Sequence, residues 1–230
     1  MIKTVIFDLD GTLYDYDAAH SAGYQRLRQY ARTNLGMDGL AFDTAYQSAM
    51  TQIEQTIGVP NAAIHDRYLR FQILLENAGL PLTPHVWSMT TLYWNALLDT
   101  MIPSPGMSNC ISILKQAGYR LGIGTNMQVD YQLLKLDRLG VINDFDFVVT
   151  SEEAFAEKPS SQFFLYCVQK ARCIPEECLF VGDDLELDVL GAQSAGLQAL
   201  WFQPDPASAA LHPRIPSIQD FKALQEMLCV

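Results

Sequence analysis

From Met107 onward, short apolar runs alternate with helical periodicity, and that alternation leaves the chain very few architectures. A helix expected over 107–117 precedes the strand Arg120–Gly124, and one over Val129–Leu139 precedes the strand Phe145–Val149. A helix over Ser161–Ala171 leads to the strand Cys178–Val181. Another over Leu185–Ala195, stopped by Gly196, leads to the strand Gln198–Phe202, and a last helix is expected over 218–228. Strands separated by helices cannot pair as hairpins, so they must form crossover units and a parallel sheet covered on both faces. One further apolar strand opens the chain and stops abruptly at Asp8 and Asp10, with Gly11 free to turn the backbone away.

The intervening segment reads differently. Helical periodicity over about 17–34, 40–57, 61–79 and 84–100 comes with almost no strand signal. In the third of these, Ile64, Tyr68, Phe71, Leu75 and Ala78 form one apolar stripe, with Asn61 as the expected N-cap and Gly79 as the stop. Tyr24, Tyr68, Phe71, Trp87 and Trp94 are expected to form its core. The four histidines (His20, His65, His85, His212) suggest no cluster. The expected architecture is therefore α/β: a Rossmann-like parallel-sheet core from 1–15 and 101–230, with an all-helical domain inserted over 16–100.

A net charge of −11 argues against nucleic acid polymers and anionic membranes as partners, since both require cationic patches. No apolar run approaches the roughly 20 residues that span a bilayer, and acidic residues by position 8 leave no room for a signal peptide there. A cytoplasmic protein is expected. Its five cysteines, odd in number and without a C-x-x-C pair, are expected to be plain thiols.

In open parallel sheets, ligands bind beyond the carboxyl ends of the strands, and polar residues collect there in this sequence. Asp8 and Asp10 follow the first strand, and their i, i+2 spacing lets both point to one side. Thr125 and Asn126 follow the second. Lys158 comes in the connection after the third. Asp183 and Asp184 follow the fourth, with Asp188 one turn into the next helix. Asp183 and Asp184 are also placed to cap that helix.

Four motifs stand in order: Asp8-Leu9-Asp10-Gly11-Thr12-Leu13, then Thr125, then Lys158, then Gly182-Asp183 with Asp188. Together they resemble the haloacid dehalogenase-like (HAD) hydrolase superfamily, and the helical insert resembles its C1-type cap. The resemblance implies that Asp8 is the nucleophile, forming an aspartyl-phosphate. Mg²⁺ would be held by Asp8, the backbone carbonyl of Asp10, and Asp183. Asp10 would protonate the leaving oxygen and then activate water. Thr125, Asn126 and Lys158 would bind the phosphoryl group, and Asp188 with Asp184 would orient Lys158 or a metal-bound water.

The implied function is a Mg²⁺-dependent phosphomonoesterase, a monomer or homodimer, acting on a small phosphorylated metabolite. Thr125-Asn126, Ser151-Glu152-Glu153 and Glu157-Lys158-Pro159 are similar to the subgroup holding pyrimidine 5′-nucleotidases and N-acylneuraminate-9-phosphatases. A nucleoside monophosphate or sugar phosphate is the substrate this suggests. Leu187 departs from the asparagine that many relatives carry before the last aspartate. The alternatives are a phosphosugar mutase of the β-phosphoglucomutase kind, a 2-haloacid dehalogenase and a non-catalytic regulatory module. Asp10 argues against the dehalogenase, which lacks this acid.

Overall fold

The computed structural model describes residues 1–58, 60–203 and 205–228. The chain folds as two compact units, one made of Met1–Asp15 with Pro103–Val230 and the other of Tyr16–Ile102. No helix among the described residues is long and apolar enough to cross a membrane.

The first unit is a six-stranded sheet: β1 (Thr4–Phe7), β2 (Arg120–Thr125), β3 (Phe147–Thr150), β4 (Cys178–Gly182), β5 (Gln198–Phe202) and β6 (Ser217–Ile218). Every pairing is parallel, and the order is β3-β2-β1-β4-β5-β6. The chain therefore builds outward from β1 in one direction and then in the other, and the reversal at β1 opens a crevice at the strands' carboxyl ends. Register lines those ends up: Phe7 sits opposite both Ile123 and Val181. All four residues of β1 are buried, as a central strand with helices on both faces requires. Each large apolar side chain among them is worth about 1.5–3 kcal/mol of burial.

The expected strands appear with shifted ends. The last helix expected over 218–228 divides into the short edge strand β6 and a helix over Phe221–Leu228, whose first turn is held by the Asp220 carboxylate accepting from Ala223 N at 2.8 Å. The helix expected over 185–195 also divides. Leu185–Leu190 is a π-turn, with Val189 N reaching back to Asp184 O, and only Gly191–Ser194 is α-helical. A short turn over Pro175–Glu177 brings Cys173 and Cys178 close together. Cys110 and Cys167 are free and buried; Cys229 lies outside the described residues.

In the helical unit, α1 (Tyr16–Tyr30) runs into a π-turn ended by Gly36, whose φ of 66° suits glycine. Next come α2 (Gly39–Ile57), α3 (Arg67–Asn77) and α4 (His85–Thr100). The helix expected to start at Asn61 starts later. Asn61 caps a single turn over Ala62–His65, and Asp66 caps α3 by accepting from Tyr68 N and Leu69 N. That shift changes which residues face inward: Phe71, Leu74 and Leu75 are buried with Arg67 and Arg70, while Ala78 is exposed. Trp87, expected in the core, is 59% exposed and packs edge-on against Tyr68. Phe71 and Trp94 are buried as expected and are joined by Phe42, Tyr46 and Tyr93, while Tyr24 is half-buried and Tyr68 exposed.

Candidate active site

The backbone that leaves β1 stays on the β4 ladder for one more residue, with Asp8 N donating to Val181 O at 2.8 Å. This fixes the Asp8 carboxylate, 4% exposed, at the mouth of the crevice. Lys158 is equally buried, and its Nζ donates to Asp8 Oδ1 at 2.5 Å and to Asp188 Oδ1 at 2.6 Å. Asp183, two residues beyond Val181, completes the group. One oxygen from each of Asp8, Asp183 and Asp188 falls within 4.8 Å of the others.

Three carboxylates and one ammonium leave two negative charges without compensation in a site shielded from water. Burial pushes the Asp8 carboxyl well up; Lys158 opposes that shift, while Asp188 and Asp183 add to it. Burial, then Asp188, push the Asp183 carboxyl up to about 6. Burial works against the Lys158 ammonium, but Asp188 and Asp8 outweigh it and hold the lysine charged. The donor set is all oxygen, hard and anionic, with a charge deficit of two. Those residues fit a divalent cation of the hard class.

Two glycines make the cluster sterically possible. Gly11 has φ 86°, and a Cβ there would run into the Asp183 carboxylate; a Cβ at Gly182 would run into that of Asp188. Asp183 is further fixed by Thr12, whose hydroxyl donates to Oδ1 at 3.1 Å, and by Trp201, whose Nε1–H donates to the Asp183 carbonyl at 2.7 Å.

Asp10 occupies a separate network. Its two oxygens accept from Lys135 Nζ at 2.7 and 2.8 Å, and one also accepts from the Tyr14 hydroxyl. Gln132 Nε2 lies 3.2 Å from Asp10 Oδ2 and 2.6 Å from Thr125 Oγ1, which ties the first two motifs together. Burial would raise the Asp10 carboxyl, but Lys135, helped by Tyr14 and Gln132, holds it below the usual carboxylate range.

The structure brings Asp8, Lys158, Asp183 and Asp188 into contact distance and ties Thr125, 1% exposed, to Asp10 through Gln132. It revises three expectations. Asn126, expected to reach phosphoryl oxygens, has its side chain on the backbone of Lys158: Oδ1 accepts from Lys158 N at 2.9 Å and Nδ2 donates to Lys158 O at 3.4 Å. Asp184 is exposed and caps the π-turn, accepting from Glu186 N at 2.9 Å and Leu187 N at 2.8 Å, so it orients neither Lys158 nor the cluster. Asp188 meets Lys158 as expected, but rather than only standing behind the ligands it is also one of the three clustered acids. The π-turn turns it inward, where Oδ2 accepts from Asp184 N at 3.0 Å.

Lys135, Gln132 and Tyr14 were not foreseen. The helix carrying the first two, α5 (Val129–Arg138), is inverted. Gln132 and Lys135 are fully buried while Val129, Leu133 and Leu134 are exposed. Two long polar residues three apart on one helical face are the signal, but apolar periodicity obscures it. Replacing Lys135 by methionine should raise the Asp10 carboxyl, move the acidic limb of the kcat–pH profile to higher pH and lower kcat by roughly 10²-fold. An unchanged profile in Lys135→Met would separate Lys135 from the function of Asp10.

Carboxylates and an ammonium gathered at the carboxyl ends of a parallel sheet mark an α/β protein with an acidic site that fits a divalent cation. The model of the haloacid dehalogenase-like hydrolase family matches residues 2–196. The chain belongs to that family and is a HAD-like phosphatase. It is 36% identical over 213 residues to a ribulose-1,5-bisphosphate 5-phosphatase of Halopiger xanaduensis, covering 91% of this chain and 88% of that protein. It is 26% identical to pyrimidine 5′-nucleotidase YjjG of Escherichia coli, covering 98% and 97%. Among solved structures, the HAD-hydrolase YfnB of Bacillus subtilis, bound to magnesium, superposes with a TM-score of 0.70 at 24% identity, covering 100% of this chain and 99% of that one.

Proposed function

We propose that the enzyme hydrolyses a small phosphomonoester, a sugar phosphate or nucleoside monophosphate, through an aspartyl-phosphate on Asp8 with Mg²⁺ as cofactor. The observation that carries this reading is the contact of Lys158 with both Asp8 and Asp188, beside Asp183. The similarity to a ribulose-1,5-bisphosphate 5-phosphatase favours a sugar phosphate.

Asp8, Asp183 and the backbone carbonyl of Asp10 would hold the ion, with Asp188 adjoining them. The ion would supply charge neutralisation that lets an anionic nucleophile approach an anionic phosphoryl group. Lys158 holds one oxygen of Asp8 and leaves the other for in-line attack on phosphorus. As the P–O bond to the leaving group breaks, that oxygen needs a proton. Asp10 is held as the carboxylate, so the proton enters with the substrate: a phosphomonoester with a second pKa near 6 is partly monoanionic at neutral pH. Asp10 relays this proton and then, ionised again, takes one from the water that attacks the aspartyl-phosphate. Thr125 would donate to a phosphoryl oxygen.

The test is inorganic phosphate release from a panel of phosphomonoesters, with Mg²⁺ and with EDTA. Release that needs Mg²⁺ and ranks sugar phosphates or nucleoside monophosphates highest in kcat/KM is the expected result. Isomerisation of a phosphosugar without phosphate release would instead select the mutase reading. Release that persists fully in EDTA would remove the cofactor assignment.

A further inference from the structure

The inward face of α3 carries Arg67, Arg70, Phe71, Leu74 and Leu75, so two of its five buried positions are guanidiniums, each 5% exposed. Buried arginines are almost always paired with carboxylates, because an uncompensated charge away from water is costly. Among the described residues, neither of these is. Arg67 donates to His65 O at 2.7 Å and to the Tyr93 hydroxyl at 3.1 Å. Arg70 donates to the Tyr46 hydroxyl at 2.7 Å and to Ile64 O at 2.9 Å. All four acceptors are neutral, and the Nε atom of each arginine is buried without a partner.

Aromatic faces hold both cations in place. The Arg67 guanidinium lies 4.8 Å from the Tyr93 ring centre, and that of Arg70 lies 5.2 Å from Tyr46. Both arginines line a cavity of about 510 Å³ within the helical unit, together with His20, His65, Tyr24 and Tyr46, and no aspartate or glutamate is among its lining residues. Two fixed positive charges, imidazoles and phenol hydroxyls thus surround a space with no carboxylate among its described lining residues. Ordinary core packing does not require this arrangement, since apolar residues at 67 and 70 would fill the same face at lower cost.

We propose that this cavity is an anion site, taking a phosphate or carboxylate group on Arg67 and Arg70. Planar guanidiniums with free N–H donors match such oxyanions, and stacking on Tyr93 and Tyr46 preorganises them. The anion has two sources: a second acidic group on the phosphoester being hydrolysed, or a separate small anion.

The experiment is a titration of the metal-free, ¹⁵N-labelled wild-type protein with inorganic phosphate, following the arginine Nε–H resonances. Arg67→Lys and Arg70→Lys serve to assign the two signals. Both should move saturably with phosphate and stay fixed with sodium chloride of the same ionic strength. Signals that do not move with phosphate, or that move equally with chloride, overturn the proposal. The source is separated by kcat/KM in Arg70→Lys, with Tyr46→Phe as a second variant. A loss of about tenfold to a hundredfold confined to doubly acidic substrates identifies a substrate group. Loss of phosphate binding with an unchanged substrate ranking identifies a separate anion. The resonance titration does not depend on turnover, so the site stands or falls independently of the phosphatase reading.

Discussion

Asp8→Asn should abolish phosphate release, by roughly four orders of magnitude or more, and leave the fold intact. The substitution keeps the shape of the side chain and removes only the charge that, on the proposed mechanism, attacks phosphorus. Its structural cost is small because Asp8 is one of three acids crowded within 4.8 Å, and Lys158 retains Asp188 as a partner at 2.6 Å. Burial and the neighbouring acids already push Asp8 towards its neutral form, against Lys158, so an amide there relieves repulsion in the metal-free protein. The expected readings are an unchanged or higher thermal midpoint without Mg²⁺ and no phosphoprotein after mixing with substrate. Residual turnover near the wild-type rate would place the nucleophile elsewhere.

Lys158→Met should lose both activity and stability. Lys158 is buried between Asp8 and Asp188, and removing one partner of such a group leaves uncompensated charge, typically at about 3–5 kcal/mol. The folded state holds the ammonium charged above its ordinary value of 10.5, so its contribution is complete throughout the neutral range and is lost only in strong alkali. In the variant the balance reverses: Asp8 and Asp188 are left facing each other, and protonating one of them restores part of the loss as pH falls. Urea unfolding at about pH 7 and about pH 5 measures this, with a smaller deficit expected at the lower pH. A variant as stable as wild type at both would show that Lys158 carries no structural role.

Both predictions rest on residues that were legible without coordinates: Asp8 because a strand that ends in a polar residue delivers it to the crevice whatever the loops do, and Lys158, which lies in the connection after β3, from the order of the motifs. Asp8, Thr125 and Asp183 all stand within two residues of a buried parallel strand. Side-chain direction after the strand ends was less legible. Asn126 and Asp184 stand beside functional neighbours, but each satisfies backbone groups of its own loop instead: Asn126 those of Lys158, and Asp184 those of the π-turn. Asp188 was expected to orient Lys158 and does so at 2.6 Å; its place as a third clustered acid, within a π-turn rather than a regular helix, was the part not read. In the helical unit, reading Asn61 as the cap started the third helix too early and hid Arg67 and Arg70 on its inner face.

The sequence by itself determined the α/β class, the helical insertion and the acids and lysine at the strand ends. Local chemistry is enough for these: apolar runs of strand length, 3.6-residue periodicity and polar residues immediately after strands. Only the tertiary structure decided which long side chains meet those residues. Lys135 reaches Asp10 across 125 positions of sequence, and Lys158 reaches Asp8 across 150. Such contacts depend on sheet order and helix rotation, and neither is encoded in any window short enough to read.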